Sequence, residues 1–461
     1  MEPRRFDTRT DRPQPREGAG SGRAIVIEPH LRGQAPRGGK GIARLSERSP
    51  QAKLEEAIGL AGAIDLAVVA SGIVPLNNIR PASFLGKGKV EEFGGIIKTE
   101  EVGIVVMDCA LSPVQQRNLE KTWNAKVLDR TGLILEIFGR RAHTREGSLQ
   151  VELAHLTYQK SRLVRTWTHL ERQRGGFGFL GGPGESQLES DRRLIEERIA
   201  RIENDLDKVK RTRKLHRDAR KRVPHPIVAL VGYTNAGKST LFNRLTQARV
   251  LSADMLFATL DPTMRAIDLP HGARVIVSDT VGFISDLPTT LVAAFRATLE
   301  EVIAADVILH VRDISHEDSE AQAHDVADVL RQLGIEPGQG APMIEVWNKI
   351  DRLDRDACVR MQNLAERTSE GERPVPISAV TGEGIETLTA AIEAQLGRSR
   401  EILDLVLDPA DGAGASWLHR HTEVLDRSMR DDGRLAMTVR ADPANAQRTR
   451  ARFGLGKRTS S

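Results

Sequence analysis

Apolar residues recur in several distinct rhythms along this chain, and each change of rhythm marks a boundary. Between Gln51 and Arg141 short apolar runs alternate with helical patterns. Ile64 to Val69 and Gly103 to Asp108 predict buried strands, and Lys126 to Asp129 predicts a third. Ser112 predicts the cap of a helix running through Leu119, with Pro113 in its first turn, where a missing N–H costs nothing. Thr131 to Phe138 predicts another helix. Alternation of this kind implies a small N-terminal α/β domain on a mainly parallel sheet, assigned to residues 49–141.

Residues 142–223 follow a different period. Leu149, Leu153, Leu156, Leu163, Trp167 and Leu170 fall at a and d positions, with Lys160 filling one slot. Ile195, Ile199, Ile202, Leu206 and Val209 then step by four and three. Stripes this narrow suit a coiled-coil seam rather than a globular core. The glycine-rich stretch 174–185 between them predicts the tip of a long antiparallel helical hairpin, projecting roughly 35–45 Å at 1.5 Å per residue. From 224 to 397 strand and helix patterns alternate again, as in a Ras-like nucleotide-binding α/β domain. Residues 398–461 predict a small α+β domain, with strands at Leu403–Leu407 and Leu435–Val439 and a helix from Ala415 to Ser428. Residues 1–48 are rich in Arg, Gly and Pro, interrupted only at Ile25–Ile27, and a disordered tail is expected there.

Composition narrows the class. A chain of 461 residues is too long for one ordinary core. Charged residues at 28% against 4% aromatics suit a soluble, helix-rich protein. The formal net charge of +4 is mild for this length, so where the charge sits matters more than its sum. Cys109 and Cys358 stand far apart and fit no disulfide framework or metal-ligand spacing, which points to a reducing compartment. No apolar run approaches the roughly 18 residues that span a bilayer, and the start lacks the apolar core of a secretory signal. A cytoplasmic monomer is expected, with peripheral membrane association left open.

The chemistry is concentrated after position 226. Ile227 to Val231 is a strand-like run leading into Gly232, Tyr233, Thr234, Asn235, Ala236, Gly237, Lys238 and Ser239, then the helical Thr240 to Leu245. This is the P-loop pattern in the strand–loop–helix context it requires. Its glycines let backbone N–H groups curl around phosphates at a helix N-terminus. Lys238 is placed to reach the β and γ phosphates, and the Ser239 hydroxyl to bind Mg²⁺.

Which base is bound is a separate question. Asn348, Lys349, Ile350 and Asp351 end an apolar strand. A carboxylate at 351 accepts both hydrogen bonds from the guanine N1–H and N2–H₂ edge, which adenine does not present; Asn348 and Lys349 brace the loop and the base. Ser378, Ala379 and Val380 follow a further short strand, where backbone can meet the guanine O6. Asp279, Thr280, Val281 and Gly282 fit an Asp-x-x-Gly switch, with Asp279 holding Mg²⁺ through water and the Gly282 N–H sensing the γ-phosphate. Phe257, Ala258, Thr259, Leu260 and Asp261 lie between the P-loop and that motif. Thr259 is the candidate second Mg²⁺ ligand and Thr263 its rival; Thr259 is preferred because an ordered switch needs flexible chain before it. Phe283 stands where many GTPases carry the glutamine that orients water, so hydrolysis is expected to be slow without an activating surface, unless the ring simply packs under the switch. Lys238, Thr259 and Gly282 are the candidate catalytic groups.

Beyond the P-loop, the chain carries Phe84-Leu-Gly-Lys-Gly-Lys89, Leu111-Ser-Pro-Val-Gln-Gln-Arg-Asn-Leu119, Val127-Leu-Asp-Arg-Thr-Gly-Leu-Ile-Leu135 and Gln150-Val-Glu-Leu-Ala154. Gly181-Gly-Pro-Gly-Glu-Ser-Gln187, Asp191-Arg-Arg193, Phe257-Ala-Thr-Leu-Asp-Pro262 and Asp279-Thr-Val-Gly-Phe283 continue the series. In these motifs, from about Ala70 to Leu396, it resembles the HflX family of ribosome-associated GTPases, with Ser186 standing in place of a threonine. The resemblance implies a protein that binds the large ribosomal subunit and its rRNA, splits stalled or idle ribosomes under stress, and brings the hairpin tip near the peptidyl-transferase region.

The residues are compatible with RNA. Lys208 to Arg222 is strongly basic, and Arg192 and Arg193 lie on the same helix. Candidate RNA contacts are Arg174, Gly175, Gly176, Phe177 and Phe179 at the tip, where backbone approaches closely and the rings can stack on bases, and Arg192, Arg193, Lys210, Arg211, Arg213 and Lys214 on the helix. The bland alternative is a solvated basic face. Two other functions would use the same P-loop: a small-molecule kinase, against which Asp351 argues, and a regulatory GTPase switch whose hairpin engages a protein partner.

Overall fold

The computed structural model describes residues 22–31, 48–173, 183–220, 225–248, 256–257, 259–260, 263–285, 299, 301–335, 341–367, 373–398, 401–408, 410–430, 432–441 and 443–454. The N-terminal domain is a parallel sheet of β1 (Arg23–Leu31), β2 (Ala67–Leu76), β3 (Ile104–Met107) and β4 (Lys126–Asp129), in the order β2-β1-β3-β4. Helices α1 (Pro50–Gly62), α2 (Lys87–Thr99), α3 (Pro113–Trp123) and α4 (Arg130–Arg141) connect and follow the strands. Ser112 and Gln115 close a reciprocal capping box on α3, and Asp129 caps α4 by accepting from the Gly132 N–H at 2.8 Å.

β1 corrects the expectation of a disordered tail over residues 1–48. Ala24, Ile25, Val26 and Ile27 are fully buried, and β1 pairs with strands on both sides. The physical reason is one of window. A nine-residue strand sits within 48 residues of Arg, Gly and Pro, and averaged composition hides it. Residues 1–21 and 32–47 lie outside the described residues. The predicted strand at Ile64–Val69 is also displaced. Ile64 belongs to the turn after α1, where Asp65 takes φ 58° and the Leu66 N–H reaches the Ala61 carbonyl, and the strand begins at Ala67.

Helices α5 (Arg145–Gln173) and α6 (Pro183–Arg220) form the hairpin. Ion pairs Lys160–Glu196 (3.1 Å) and Arg198–Glu152 (2.7 Å) cross it, and Ile202 and Leu206 are buried. Its base is seated on the N-terminal domain: Val151 and Ala154 join the core of Leu133, Ile137 and Phe138, while Tyr158 donates to Asp129. Among the described residues no helix is long and apolar enough to cross a membrane.

The third unit is a six-stranded sheet of β5 (Ile227–Gly232), β6 (Thr263–Asp268), β7 (Arg274–Asp279), β8 (Val307–Asp313), β9 (Met343–Asn348) and β10 (Val375–Pro376), ordered β10-β9-β8-β5-β7-β6 with only β6 antiparallel. Helices α7 (Lys238–Thr246), α8 (Ser319–Gln332), α9 (Arg355–Arg367) and α10 (Ile385–Arg398) belong to it. Its core is continuous with that of the N-terminal domain, and Phe257 meets Phe138 edge-on at 4.7 Å between ring centres. The last unit is an antiparallel sheet of β11 (Glu401–Leu407), β13 (Leu435–Ala441) and β12 (Glu423–Met429) with helices α11 (Gly412–His421) and α12 (Pro443–Phe453). The helix expected over Ala415–Ser428 therefore ends early. Thr422 turns to an extended conformation (φ −140°), and β12 follows as an edge strand whose residues are mostly exposed, so it carries no burial period to read.

Glu28 in β1 is 3% exposed, and its Oε2 has no hydrogen-bond partner among the described residues. Burial, then the neighbouring Asp108 carboxylate, pushes its carboxyl up to about 8 from the 4.5 of a free glutamate. The folded chain thus holds a proton that the unfolded chain has released, and stability falls as pH rises between those two values. Glu28→Gln is expected to raise the melting temperature at pH 8.5 while leaving it nearly unchanged at pH 5, as measured by thermal unfolding. An equal shift at both pH values would mean that Glu28 is ionised in the fold.

Candidate nucleotide site

The site sits at the C-terminal edge of the parallel strands, the usual ligand position in such sheets. β5 ends at Gly232, and the loop Tyr233, Thr234, Asn235, Ala236, Gly237 turns into α7. Gly237 takes φ 92°, and a Cβ there would lie 2.2 Å from the Asn348 Nδ2. The loop therefore closes only with glycine at that position. Lys238 is buried, and its ammonium donates to the carbonyls of Gly232 (3.1 Å) and Tyr233 (2.7 Å). Burial, only partly offset by the Asp279 carboxylate, pushes its pKa down to about 8.

Three oxygen-bearing side chains converge beside it. The Ser239 hydroxyl donates to Asp279 Oδ2 at 2.8 Å, the Thr259 hydroxyl to the same oxygen at 2.9 Å, and the two hydroxyls are 2.8 Å apart. Asp279 is fully buried; burial drives its carboxyl pKa up, and Oδ1 has no partner among the described residues. A hard-oxygen set around a buried carboxylate with an orphan oxygen is what a small divalent cation fits. Thr259, rather than Thr263, occupies this place; Thr263 begins β6.

The base end is built around Asn348, which is 1% exposed. Its Nδ2 donates to the Ala236 carbonyl at 2.8 Å, and its Oδ1 accepts from the Ala379 N–H at 3.0 Å. Lys349 takes φ 68° and pairs with Asp313 at 2.7 Å. The Ile350 N–H donates to the Ile377 carbonyl at 3.3 Å. Asp351 is exposed and accepts from the Ser378 hydroxyl at 2.6 Å, which leaves carboxylate capacity for a ligand. Val380 is 65% exposed. Arg244 of α7, which no motif singled out, donates to the Ala379 carbonyl at 3.1 Å and to the Val380 carbonyl, bracing this loop from the phosphate side.

The switch residues are strapped to the P-loop. The Thr280 hydroxyl donates to the Leu230 carbonyl at 2.5 Å, and Val281 is buried. A Cβ on Gly282 would come within 3.0 Å of Lys238 Nζ and 2.9 Å of Thr234 Cα, so a glycine is required where the chain passes the phosphate end. Phe283 pairs by backbone with Gly232 (N–H to carbonyl, 3.1 Å) and Thr234 (carbonyl to N–H, 2.7 Å), and its ring is 1% exposed. Leu260 is buried beside Phe257, whereas Ala258 and Asp261 lie outside the described residues.

Of the candidate RNA contacts, Arg174, Gly175, Gly176, Phe177 and Phe179 lie outside the described residues, as do the side chains of Lys210, Arg213 and Lys214. Arg211 is exposed. Arg192 and Arg193 are exposed but paired one turn on with Glu196 and Glu197, each at 3.2 Å, which dilutes the basic face that the sequence suggests.

Each charge-assisted hydrogen bond from the guanine edge to the carboxylate contributes roughly 1.5–3 kcal/mol. Asp351→Ala is therefore expected to weaken GDP binding by at least the loss of one such bond, roughly 10- to 150-fold, without improving that of ADP, measured by titration of fluorescent nucleotides. Equal affinity of the parent protein for ADP and GDP would refute the assignment of the base.

Comparison with known proteins shows the family. Family models match in series: GTP-binding GTPase N-terminal at residues 51–139, GTP-binding GTPase Middle Region at 141–220, 50S ribosome-binding GTPase at 227–349, and HflX C-terminal domain at 363–461. The GTPase HflX of Magnetococcus marinus is 51% identical over 376 residues, covering 82% of this chain and 85% of that protein. The GTPase HflX of Escherichia coli is 45% identical over 367 residues, covering 78% and 83%. A crystal structure titled SsGBP and GDP complex aligns over 81% of this chain and 97% of its own at 24% identity and a TM-score of 0.47. With its P-loop, its switch and its base loop assembled at one sheet edge, the chain belongs to the HflX family of P-loop GTPases, enzymes that bind GTP and hydrolyse it.

Proposed function

We propose that the chain is a ribosome-associated GTPase that binds the large subunit through its rRNA and splits stalled or idle ribosomes. The observation that carries this is the match of residues 227–349 to the model described as 50S ribosome-binding GTPase. The helical hairpin supports it, as a long two-helix element with exposed arginines. GTP would favour the ribosome-bound conformation, rRNA would trigger hydrolysis, and GDP would permit release.

Within the site, Lys238 would meet the β and γ phosphates and Gly282 would offer its N–H to the γ-phosphate. Asp351, Asn348, Lys349 and the Ser378–Val380 backbone would hold guanine. Ser239 and Thr259 would bind Mg²⁺ directly and Asp279 through water, a role that the orphan oxygen and shared hydroxyls of that cluster fit. When bound, Mg²⁺ would neutralise charge developing on the phosphate oxygens. The buried Phe283 ring cannot orient an attacking water, so the intrinsic rate should be low and the missing group should come from the ribosome. Catalytic groups supplied in this way are worth about 10³–10⁵ in rate.

Purified large subunits are therefore expected to raise the rate of GTP hydrolysis by at least tenfold and to co-sediment with the protein in the presence of a non-hydrolysable GTP analogue. No stimulation together with no co-sedimentation would remove this function and favour a switch acting on a protein partner. Replacing Phe177 and Phe179 together by Ala is expected to reduce ribosome splitting, read by sucrose-gradient profiles, with GTP affinity unchanged. Undiminished splitting would discard stacking at the tip.

A further inference from the structure

Five side chains from four separate parts of the chain meet in one buried polar cluster between the N-terminal domain and the nucleotide site. Glu56 of α1 lies at its centre. Its Oε2 accepts from the Tyr233 phenol and from Arg48, and its Oε1 from Arg130 (2.6 Å) and the Ser285 hydroxyl (3.3 Å). Arg48 also donates to the Tyr233 oxygen at 2.8 Å and to the Ser285 hydroxyl at 3.2 Å. Arg130 also donates to the Ser285 carbonyl at 2.9 Å and its hydroxyl at 3.1 Å, and the Ser285 N–H donates to the Tyr233 oxygen at 2.9 Å. The two arginines are anchored from outside by Asp318 (3.3 Å) and Asp108 (2.5 Å).

The side chains of Arg48, Glu56 and Arg130 are only 4–8% exposed. Burial opposes the Glu56 charge, but Arg130 and Arg48 together hold its carboxyl below the usual glutamate range, so it acts as an ionised acceptor. A cluster of buried ions is weak evidence for stability, because apolar side chains of equal volume can serve as well. What it grips is therefore the informative part. On the nucleotide side it holds two residues. Tyr233 is the second residue of the P-loop, and its carbonyl is a seat of the Lys238 ammonium. Ser285 lies three residues beyond Gly282, at the end of the segment that Phe283 zips to the P-loop. Both arms lead to the place where a Cβ on Gly282 would strike Lys238 and Thr234.

We infer that Glu56, with Arg48 and Arg130, are positioning residues for GTP hydrolysis, fixing Gly282 against the P-loop so that the site distinguishes a triphosphate from a diphosphate. The hydrogen bonds of these three side chains go to one another, to Tyr233 and Ser285, and to the anchoring carboxylates. They act through Tyr233 and Ser285, and the effect belongs to the GTPase whether or not a ribosome is its trigger. The α and β phosphates would rest on the P-loop backbone, and the cluster hydrogen-bonds Tyr233 only at its phenol oxygen, not at that backbone. The γ-phosphate needs Gly282 as well, so loosening the cluster should cost the triphosphate alone.

The test uses the full chain carrying Glu56→Gln, which keeps shape and removes charge, and Ser285→Ala, which removes one hydroxyl from the network. Affinities for GDP and for a non-hydrolysable GTP analogue are measured beside single-turnover hydrolysis. GDP affinity is expected to stay within about twofold, while analogue affinity and hydrolysis rate fall about tenfold. The double variant should be no worse than Glu56→Gln alone, because one network is being cut twice. Equal loss for both nucleotides, or no loss for either, overturns the inference. If Glu56→Gln does not fold, as judged by circular dichroism and gel filtration, Ser285→Ala carries the test alone, with the same outcomes deciding it.

Discussion

The buried amide of Asn348 is the constraint on which the geometry of the site depends. One side of the amide accepts from the backbone of the base loop and the other donates to the backbone of the phosphate loop. A planar group with both ends engaged has little freedom, and because it is buried, a lost bond would leave a polar atom unsatisfied. The distance between the place for a guanine ring and the place for its phosphates is thereby fixed before any ligand arrives. Gly237 is the counterpart of this requirement: the amide stands where any larger residue would carry its Cβ.

A second constraint acts at right angles to the first. The N-terminal domain does not hang from the GTPase unit by a tether. Phe138 and Phe257 share one apolar core across the boundary, and the Glu56 cluster lies in the same contact. Phe257 immediately precedes the stretch that carries Thr259. The segment expected to move with nucleotide state is thus bordered on one side by an aromatic contact with a different domain, and on the other by a hydroxyl on Asp279. Any displacement of the N-terminal domain must be felt at the Asp279 end of the site, because packed interfaces of this kind shift between discrete arrangements rather than stretch.

The parts legible in the sequence are those whose meaning is local. The P-loop needs eight consecutive residues, the guanine motif four and the switch four, and each follows an apolar strand, so one stretch of chain carries both signal and context. The pairing of two long helices was legible from their period. β1 was not, because four apolar residues in a row are a small signal against an Arg/Gly/Pro-rich background, and pairing partners some 40 and 80 residues downstream decide their fate. β12 escaped because an exposed edge strand has no hidden face. Arg244 and the Glu56 cluster escaped for a different reason. Positions 48, 56, 130, 233 and 285 carry no mutual spacing, and only the folded chain brings them together.

The place of β1 in the sheet has a consequence for how the chain can be cut. Among the described residues it lies between β2 and β3 and joins them. The matched N-terminal family region begins at residue 51, beyond β1. A fragment trimmed to that boundary would keep every motif of the family yet lose the ladder that joins the two halves of its first sheet, leaving β2 as an orphan and β3–β4 as a bare pair with two raw edges. In living cells the same arrangement sets an order of assembly. β1 leaves the ribosome before its partners and cannot be fully clasped until residue 107 has followed it out.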